Sequence, residues 1–352
     1  MTQDAGASPG GRLPAKGPEM PPAEGRLPAN GSAGAYAAAG VDQEGKNRLL
    51  ERLQGVMARA TTPEVVAGVG PFAGLHRVPA GGGLLAASAD GVGTKIKIAV
   101  ATGRHRGIGW DLVNHCVNDI ATAGADPLFF LDYLGSSRLE PEVTAEVITG
   151  LAEACAAAGC ALLGGETAEM PDVYAAGDYD LVGFIVGHVP AGYTREPVRA
   201  GDVLCALPSS GLHTNGYTLV RRLFDGWDLE QPVPELGRPL ADELLEPHRS
   251  YLDPLRRLPW KAAAHITGGG LPGNLPRALP EGLAAEIRRE SWEFPPIFAL
   301  LQRLGDLSDQ EMVATFNCGL GMILVCGEPL AGLETVGRVV PATGRERFRL
   351  VA

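Results

Sequence analysis

The chain of 352 residues reads as an α+β protein built from two domains. Strand-like and helix-like segments mix in both halves, without the regular βαβα alternation of a doubly wound sheet. Hydrophobic residues make up 45% and charged residues 20%, enough apolar surface for more than one core at roughly 100–200 residues per domain. The polar, Pro- and Gly-bearing stretch PAGYTREPVRAG (190–201) separates two such patterns. It divides the chain into an N-terminal domain, 35–192, and a C-terminal domain, 193–352.

Residues 1–34 form a zone dominated by Gly, Pro and Ala, in which GRLPAK (11–16) recurs as GRLPAN (25–30). Such a segment buries too little surface to offset its chain entropy and reads as a disordered tail. Residues 42–60 read as a helix with Asp42 as N-cap. GLLAASAD (83–90) reads as a strand ending at a carboxylate. Ile108, Leu112, Val113, Cys116, Val117 and Ile120 recur with helical spacing, predicting a helix over 108–123. PLFFLDYL (127–134) is a strand. A helix over 141–158 opens on Pro141 and closes at Gly159. CALLGGE (160–166) and 178–189 are strands. In the second half, 202–208, 283–289 and 319–327 read as strands, and 215–224 and 295–305 as helices.

Lys and Arg number 30 against 41 Asp and Glu, net −11. Nucleic acid and anionic membranes need a basic footprint, so neither is expected as a partner. There is no run of 18 apolar residues and no basic-then-apolar leader pattern. The six cysteines lack CxxC and His/Cys zinc spacing, and fit buried thiols of a cytoplasmic protein.

The chain has no GxxxxGK[ST] phosphate loop. Its one formal GxGxxG, at 268–273, carries Pro272 where a dinucleotide helix would start. More informative are Gly-rich turns that bear carboxylates or hydroxyls. In Asp90-Gly91-Val92-Gly93-Thr94-Lys95, Gly91 and Gly93 permit close backbone approach to a ligand. Asp90 offers a hard oxygen to Mg2+, and Thr94 and Lys95 offer a hydroxyl and a cation. On the 108–123 helix, Asp111, His115 and Asp119 share a polar stripe with Asn114 and Asn118. Either this is a solvated face, or Asn118 and Asp119 reach a metal-bound phosphate. Glu166 and Thr167 follow Gly164-Gly165. Ser209-Ser210-Gly211-Leu212-His213-Thr214-Asn215 forms a strand-to-helix turn suited to an anion, with His213 beside it. Gly268-Gly269-Gly270 follows His265-Ile266-Thr267. Together these suggest a Mg–nucleotide site and a phosphorylated substrate.

The strings DGVGTKIKIA (90–99), DLVNHCVNDI (111–120), PLFFLDY (127–133), LLGGETAEMP (162–171), GLHTNGYTLVRR (211–222), AHITGGGLPGNLPR (264–277) and TFNCGLGMI (315–323) resemble the phosphoribosylformylglycinamidine cyclo-ligase family of the ATP-binding synthetase superfamily. The resemblance runs in order from about Ala35 to the C-terminus. It implies a homodimer whose N-terminal strands combine into a barrel across the interface. It also implies an ATP- and Mg2+-dependent cyclisation of formylglycinamidine ribonucleotide to aminoimidazole ribonucleotide. Carried onto this sequence, Asp90, Asp119 and Glu166 are the expected metal ligands. Gly91, Gly93, Thr94, Lys95, Asn118, Glu166 and Thr167 are the expected ATP or phosphate contacts. Ser210, Gly211, Asn215, Gly268, Gly269 and Gly270 are expected at the substrate. His213, Asp119 and Asp90 are the expected catalytic residues, with His213 in proton transfer.

The chain departs from the family pattern at Ala314, where Arg is common, and at Asp172, where Gly is usual. Thr214 and Thr218 replace Ser, and 328–337 is short for the helix expected there. Two rivals stand beside this reading. One is a sibling kinase or synthetase of the superfamily, such as a selenophosphate synthetase or a thiamine-phosphate kinase. The other is a nucleotide-binding subunit without chemistry.

Overall fold

The computed structural model describes residues 65–67, 72–78 and 82–352. The expected tail (1–34) and helix (42–60) lie outside the described residues. Among the described residues no helix is long and apolar enough to cross a membrane.

The N-terminal half is one six-stranded sheet. Its strands are β1 (Val65–Ala67), β2 (Gly74–Arg77), β3 (Leu84–Gly91), β4 (Asp126–Ser136), β5 (Ala161–Glu169) and β6 (Tyr179–Val189), in the order β1-β2-β3-β6-β4-β5. Neighbours are antiparallel except β4 and β5. That parallel pair needs a crossover, which α3 (Pro141–Ala158) supplies. Pro141 starts α3, and Gly159, at φ 74°, ends it. Among the described residues, α1 (Ile96–Thr102) and α2 (Arg106–Thr122) precede α3.

Helix α2 lies at the centre of the molecule. Its apolar stripe is buried against β3 and β6. It crosses α3 at a glycine contact. A Cβ on Gly109 would stand 2.4 Å from Leu151 N, and one on Gly150 2.0 Å from Arg106 O, so only hydrogens fit at the crossing. The polar stripe is not a solvated face, because Asp111, Asn114, His115, Asn118 and Asp119 are all buried. The helix is covered all round, by its own sheet on one side and the C-terminal half on the other.

The C-terminal half carries a second six-stranded sheet. Its strands are β7 (Val203–Pro208), β10 (Ala262–His265), β11 (Leu283–Arg288), β12 (Leu320–Cys326), β13 (Glu334–Pro341) and β14 (Phe348–Val351), ordered β10-β12-β7-β13-β11-β14. β8 (Pro232–Val233) and β9 (Arg238–Pro239) form a separate hairpin. The helices are α4 (Tyr217–Leu223), α5 (Leu240–Leu244), α6 (Leu252–Arg257), α7 (Gly270–Asn274), α8 (Pro296–Gly305) and α9 (Asp309–Thr315). All seven residues of β12 are buried, as a central strand covered on both faces requires. The helix expected over 328–337 is absent. Residues from Glu334 instead form β13, pairing with β7 and β11, where Val336 and Val339 bury.

The fold is thus α+β with two mixed sheets. Among the described residues the N-terminal sheet is open and does not close into a barrel. One face of it leaves Leu163 63% and Phe184 40% exposed, with Leu128 and Val182 also at the surface.

Candidate functional site

The two halves meet along the polar stripe of α2, and four hydrogen bonds explain why it is polar. Asn118 Nδ2 donates to Arg249 O at 2.8 Å while its Oδ1 accepts from Tyr251 N at 2.7 Å. Asn114 Nδ2 donates to His248 O at 2.7 Å, and Asp111 Oδ1 accepts from His248 N at 2.8 Å. These side chains pair backbone groups of His248, Arg249 and Tyr251, which lie in no sheet and have no strand partner. Lys95 completes the seam. Its ammonium lies 2.8 Å from Asp111 and 2.7 Å from Glu246 O, with neither charged side chain exposed. Burial lowers the Lys95 pKa and raises that of Asp111 to about 6, and the attraction between them opposes both shifts.

Lys95 and Asn118 were expected to contact phosphate. In this structure both are fully engaged between the halves and offer no free atom to a ligand. Thr94, Gly91 and Gly93, on the same turn, are exposed. Thr94 Oγ1 lies 3.1 Å from Thr218 Oγ1, across the domain junction.

Beside this seam is a cluster of two carboxylates and four imidazoles. Asp119 Oδ1 accepts from His265 Nδ1 at 2.7 Å, and its Oδ2 accepts from Ser88 Oγ at 3.2 Å. His115 Nε2 stands 3.4 Å from Asp90 Oδ2 and 4.0 Å from Asp119 Oδ2. His248 Nε2 lies 2.9 Å from His265 Nε2, and His213 stacks on His248 with ring centroids 3.9 Å apart. Burial raises the Asp119 carboxyl well above its ordinary range, and the Asp90 charge pushes the same way against His115 and Arg277. Burial lowers all three of His213, His248 and His265, the last to about 3. Burial therefore favours the neutral form of His213, His248 and His265.

His213 sits in the turn after β7 at φ 60°, a left-handed backbone uncommon for a residue with a Cβ. Its Nε2 accepts from Ser210 N at 3.2 Å, and its Nδ1 is buried without a partner. The turn is braced by Asn317, whose Nδ2 donates to Gly211 O and whose Oδ1 accepts from Ser209 Oγ. Ser210 Oγ donates to Pro247 O. Asn215 is half-buried, and its Nδ2 is 3.4 Å from Thr214 Oγ1.

The triple glycine divides by position. A Cβ on Gly270 would stand 1.9 Å from Val313 O, so helix packing excludes any side chain there. On Gly269, at φ 89°, a Cβ would make only an ordinary contact, 3.5 Å from Gly273 Cα. Asn274 Nδ2 donates to Gly270 O at 2.8 Å and holds the loop.

Asp90 and Asp119 therefore converge, and His213 lies in the same cluster. Glu166 does not join them within one chain. Gly91, Val182, Tyr133 and Glu166 lie in one row across β3, β6, β4 and β5, which separates the row's ends by roughly 14 Å at ordinary strand spacing. Glu166 and Thr167 are exposed at the sheet edge. The sequence reading missed His248, His265 and Arg277 as site residues. His265 closes a short strand beside the glycines, a position that could have flagged it. His248 stands alone in an irregular segment and gave no signal.

Models of the AIR synthase related protein match the chain, the N-terminal domain over residues 71–189 and the C-terminal domain over 199–339. Phosphoribosylformylglycinamidine cyclo-ligase of Myxococcus xanthus is 51% identical over 302 residues, covering 82% of this chain and 88% of that protein. The protein of that name from Nitrosospira multiformis is 46% identical, covering 90% and 91%. Among solved structures, AaThiL complexed with AMPPCP and TMP shares the fold at TM-score 0.61 and 17% identity, covering 86% of this chain and 92% of its own. The hydrogenase maturation protein HypE of E. coli does so at TM-score 0.54 and 20% identity, covering 87% and 94%. By its two domains and its identity to these relatives, the chain belongs to the phosphoribosylformylglycinamidine cyclo-ligase family.

Proposed function

We propose that this chain is the ATP-dependent cyclo-ligase that converts formylglycinamidine ribonucleotide to aminoimidazole ribonucleotide, releasing ADP and phosphate. Family membership supports the reaction. The observation that carries the site is the convergence of Asp90 and Asp119, from β3 and α2, at the junction of the two domains.

The chemical problem is a poor leaving group. An amide oxygen leaves only after it is phosphorylated by the γ-phosphoryl group of ATP. The amidine nitrogen then attacks the same carbon, the ring closes and phosphate departs. Such a reaction is governed by positioning and charge neutralisation. The exposed Gly91–Thr94 turn receives the triphosphate through backbone amides and the Thr94 hydroxyl. Lys95 and Asn118 act behind it by fastening the domains. Ser210, Gly211, Asn215 and the Gly268–Gly269 backbone bound the substrate side. His213 has its Nε2 occupied as an acceptor from Ser210 N. In a neutral ring the proton then sits on Nδ1, and His213 donates it to the oxygen that develops charge.

The donor set fits Mg2+. Asp90 and Asp119 come together at His115, and burial raises the Asp119 carboxyl. Asp90 and Asp119 would hold the ion, which when bound supplies charge neutralisation for the β- and γ-phosphate oxygens. We also propose a homodimer. The exposed apolar face bearing Leu128, Leu163, Val182 and Phe184 is the kind of surface a second copy covers. Glu166, on the same sheet, then contributes to the partner's polyphosphate.

The test is ATP turnover by the purified chain with Mg2+. ADP formation that depends on formylglycinamidine ribonucleotide, with aminoimidazole ribonucleotide identified by mass, supports the reading. ATP binding without stimulation by that substrate, or turnover driven by thiamine monophosphate instead, refutes it.

A further inference from the structure

We infer that His115 is a nitrogen ligand of the divalent cation at Asp90 and Asp119, making this a mixed N/O site. The inference rests on the cation reading above and deepens it.

Three observations carry it. His115 is 5% exposed, and its Nε2 points between two carboxylates, 3.4 Å from Asp90 Oδ2 and 4.0 Å from Asp119 Oδ2. Both distances are long for charge-assisted hydrogen bonds, which run at roughly 2.7–2.9 Å. They match the spacing of ligands around one ion, since bonds of about 2.1 Å put neighbouring ligands about 3 Å apart and opposite ones about 4.2 Å. Second, the other ring nitrogen has its own partner. His115 Nδ1 lies 2.9 Å from Thr214 Oγ1, and a hydroxyl can accept from Nδ1–H, leaving the Nε2 lone pair for a metal. Third, Asp119 is oriented as metal-ligating carboxylates are. His265 Nδ1 holds its Oδ1 at 2.7 Å, and Ser88 Oγ takes one lone pair of Oδ2. The remaining Oδ2 lone pair is left for the ion.

The Asp90 side chain is 37% exposed, so the coordination sphere opens on that side. Phosphate oxygens and water can complete it there. Carboxylate and water oxygens suit Mg2+ and Mn2+ alike, so Mn2+ reports on the same site.

The test is pulsed electron paramagnetic resonance of Mn2+ bound to the full chain, without and with AMPPCP. The expected result is electron spin-echo modulation from a directly coordinated nitrogen-14. It should be lost in His115→Gln while Mn2+ stays bound, and kept in His265→Gln. Should His115→Gln not fold, the wild-type spectrum still decides whether any nitrogen is coordinated. Bound Mn2+ with no nitrogen coupling overturns the inference and leaves the carboxylate site standing, and so does a coupling lost only in His265→Gln. Mn2+ binding indifferent to Asp119→Asn overturns both this inference and the cation site beneath it.

Discussion

His265 Nδ1 donates to Asp119 Oδ1 at 2.7 Å, across 146 residues of sequence. This bond joins strand β10 of the C-terminal sheet to helix α2 of the N-terminal half. It fixes the His265 tautomer, because a proton on Nδ1 leaves Nε2 as the acceptor facing His248 Nε2. The carboxylate proposed to hold the cation is thus set by the C-terminal domain.

The Lys95–Asp111 pair predicts a stability effect. Removing one partner leaves a buried charge alone, at a cost of about 3–5 kcal/mol. Lys95→Met should lower the urea midpoint strongly, and Lys95→Met with Asp111→Leu should recover much of it. If Lys95→Met leaves the midpoint unchanged but abolishes ATP binding, Lys95 faces phosphate instead.

The buried imidazoles predict acid sensitivity. His265 titrates at about 3 in the folded chain against 6.5 unfolded, and His213 and His248 are shifted in the same direction. Between those values the unfolded chain binds more protons, so stability is fully present above pH 6.5 and lost as pH falls. The slope is about 1.4 kcal/mol per pH unit for each such histidine. Urea melts at pH 7.5, 6.0 and 5.0 should show the decline, and it should be shallower in His248→Gln. The raised Asp111 and Asp119 carboxyls act in the opposite sense, so the comparison decides: a slope unchanged in His248→Gln contradicts neutral burial.

His213→Asn tests the donor assignment. Asn tolerates a left-handed backbone, so the fold and substrate KM should hold. A positioned proton-transfer group contributes roughly 100- to 10,000-fold, and kcat should fall by about that much. Unchanged kcat removes His213 from the chemistry.

Gly270→Ala separates packing from ligand approach. Its methyl would meet Val313 O, and the residue is at φ 58°. A loss of about 1–3 kcal/mol or more is expected, read as a lower melting temperature. Unchanged stability with weakened substrate binding would put the ligand, not the helix, against this glycine.

Much of the fold was legible because its signals are local. The Pro141 start and Gly159 stop of α3 are backbone rules, and the apolar spacing of α2 is a packing rule. What was missed depends on distant partners. Val336 and Val339 are not part of a helical stripe; they fill a gap between two strands. Helix α9 did carry a local sign, the capping box Ser308-Asp309-Gln310-Glu311, which the reading overlooked. In the candidate site, Asp90 and Asp119 stand out in their turn and stripe, but that they meet beside His115 shows only in the fold. Lys95 was not, since nothing near it in sequence shows that Asp111 and Glu246 O will enclose it. Asp172 sits at φ 70°, which accounts for the glycine usual at that position.

The central claim, that Asp119 helps hold the cation on which phosphoryl transfer depends, is tested most directly by the rate of aminoimidazole ribonucleotide formation in Asp119→Asn at saturating ATP and Mg2+. Losing several kcal/mol of transition-state stabilisation, at 1.36 kcal/mol per tenfold, predicts a rate lower by about 100-fold or more in a folded protein. A folded variant that turns over at close to the wild-type rate would contradict the account.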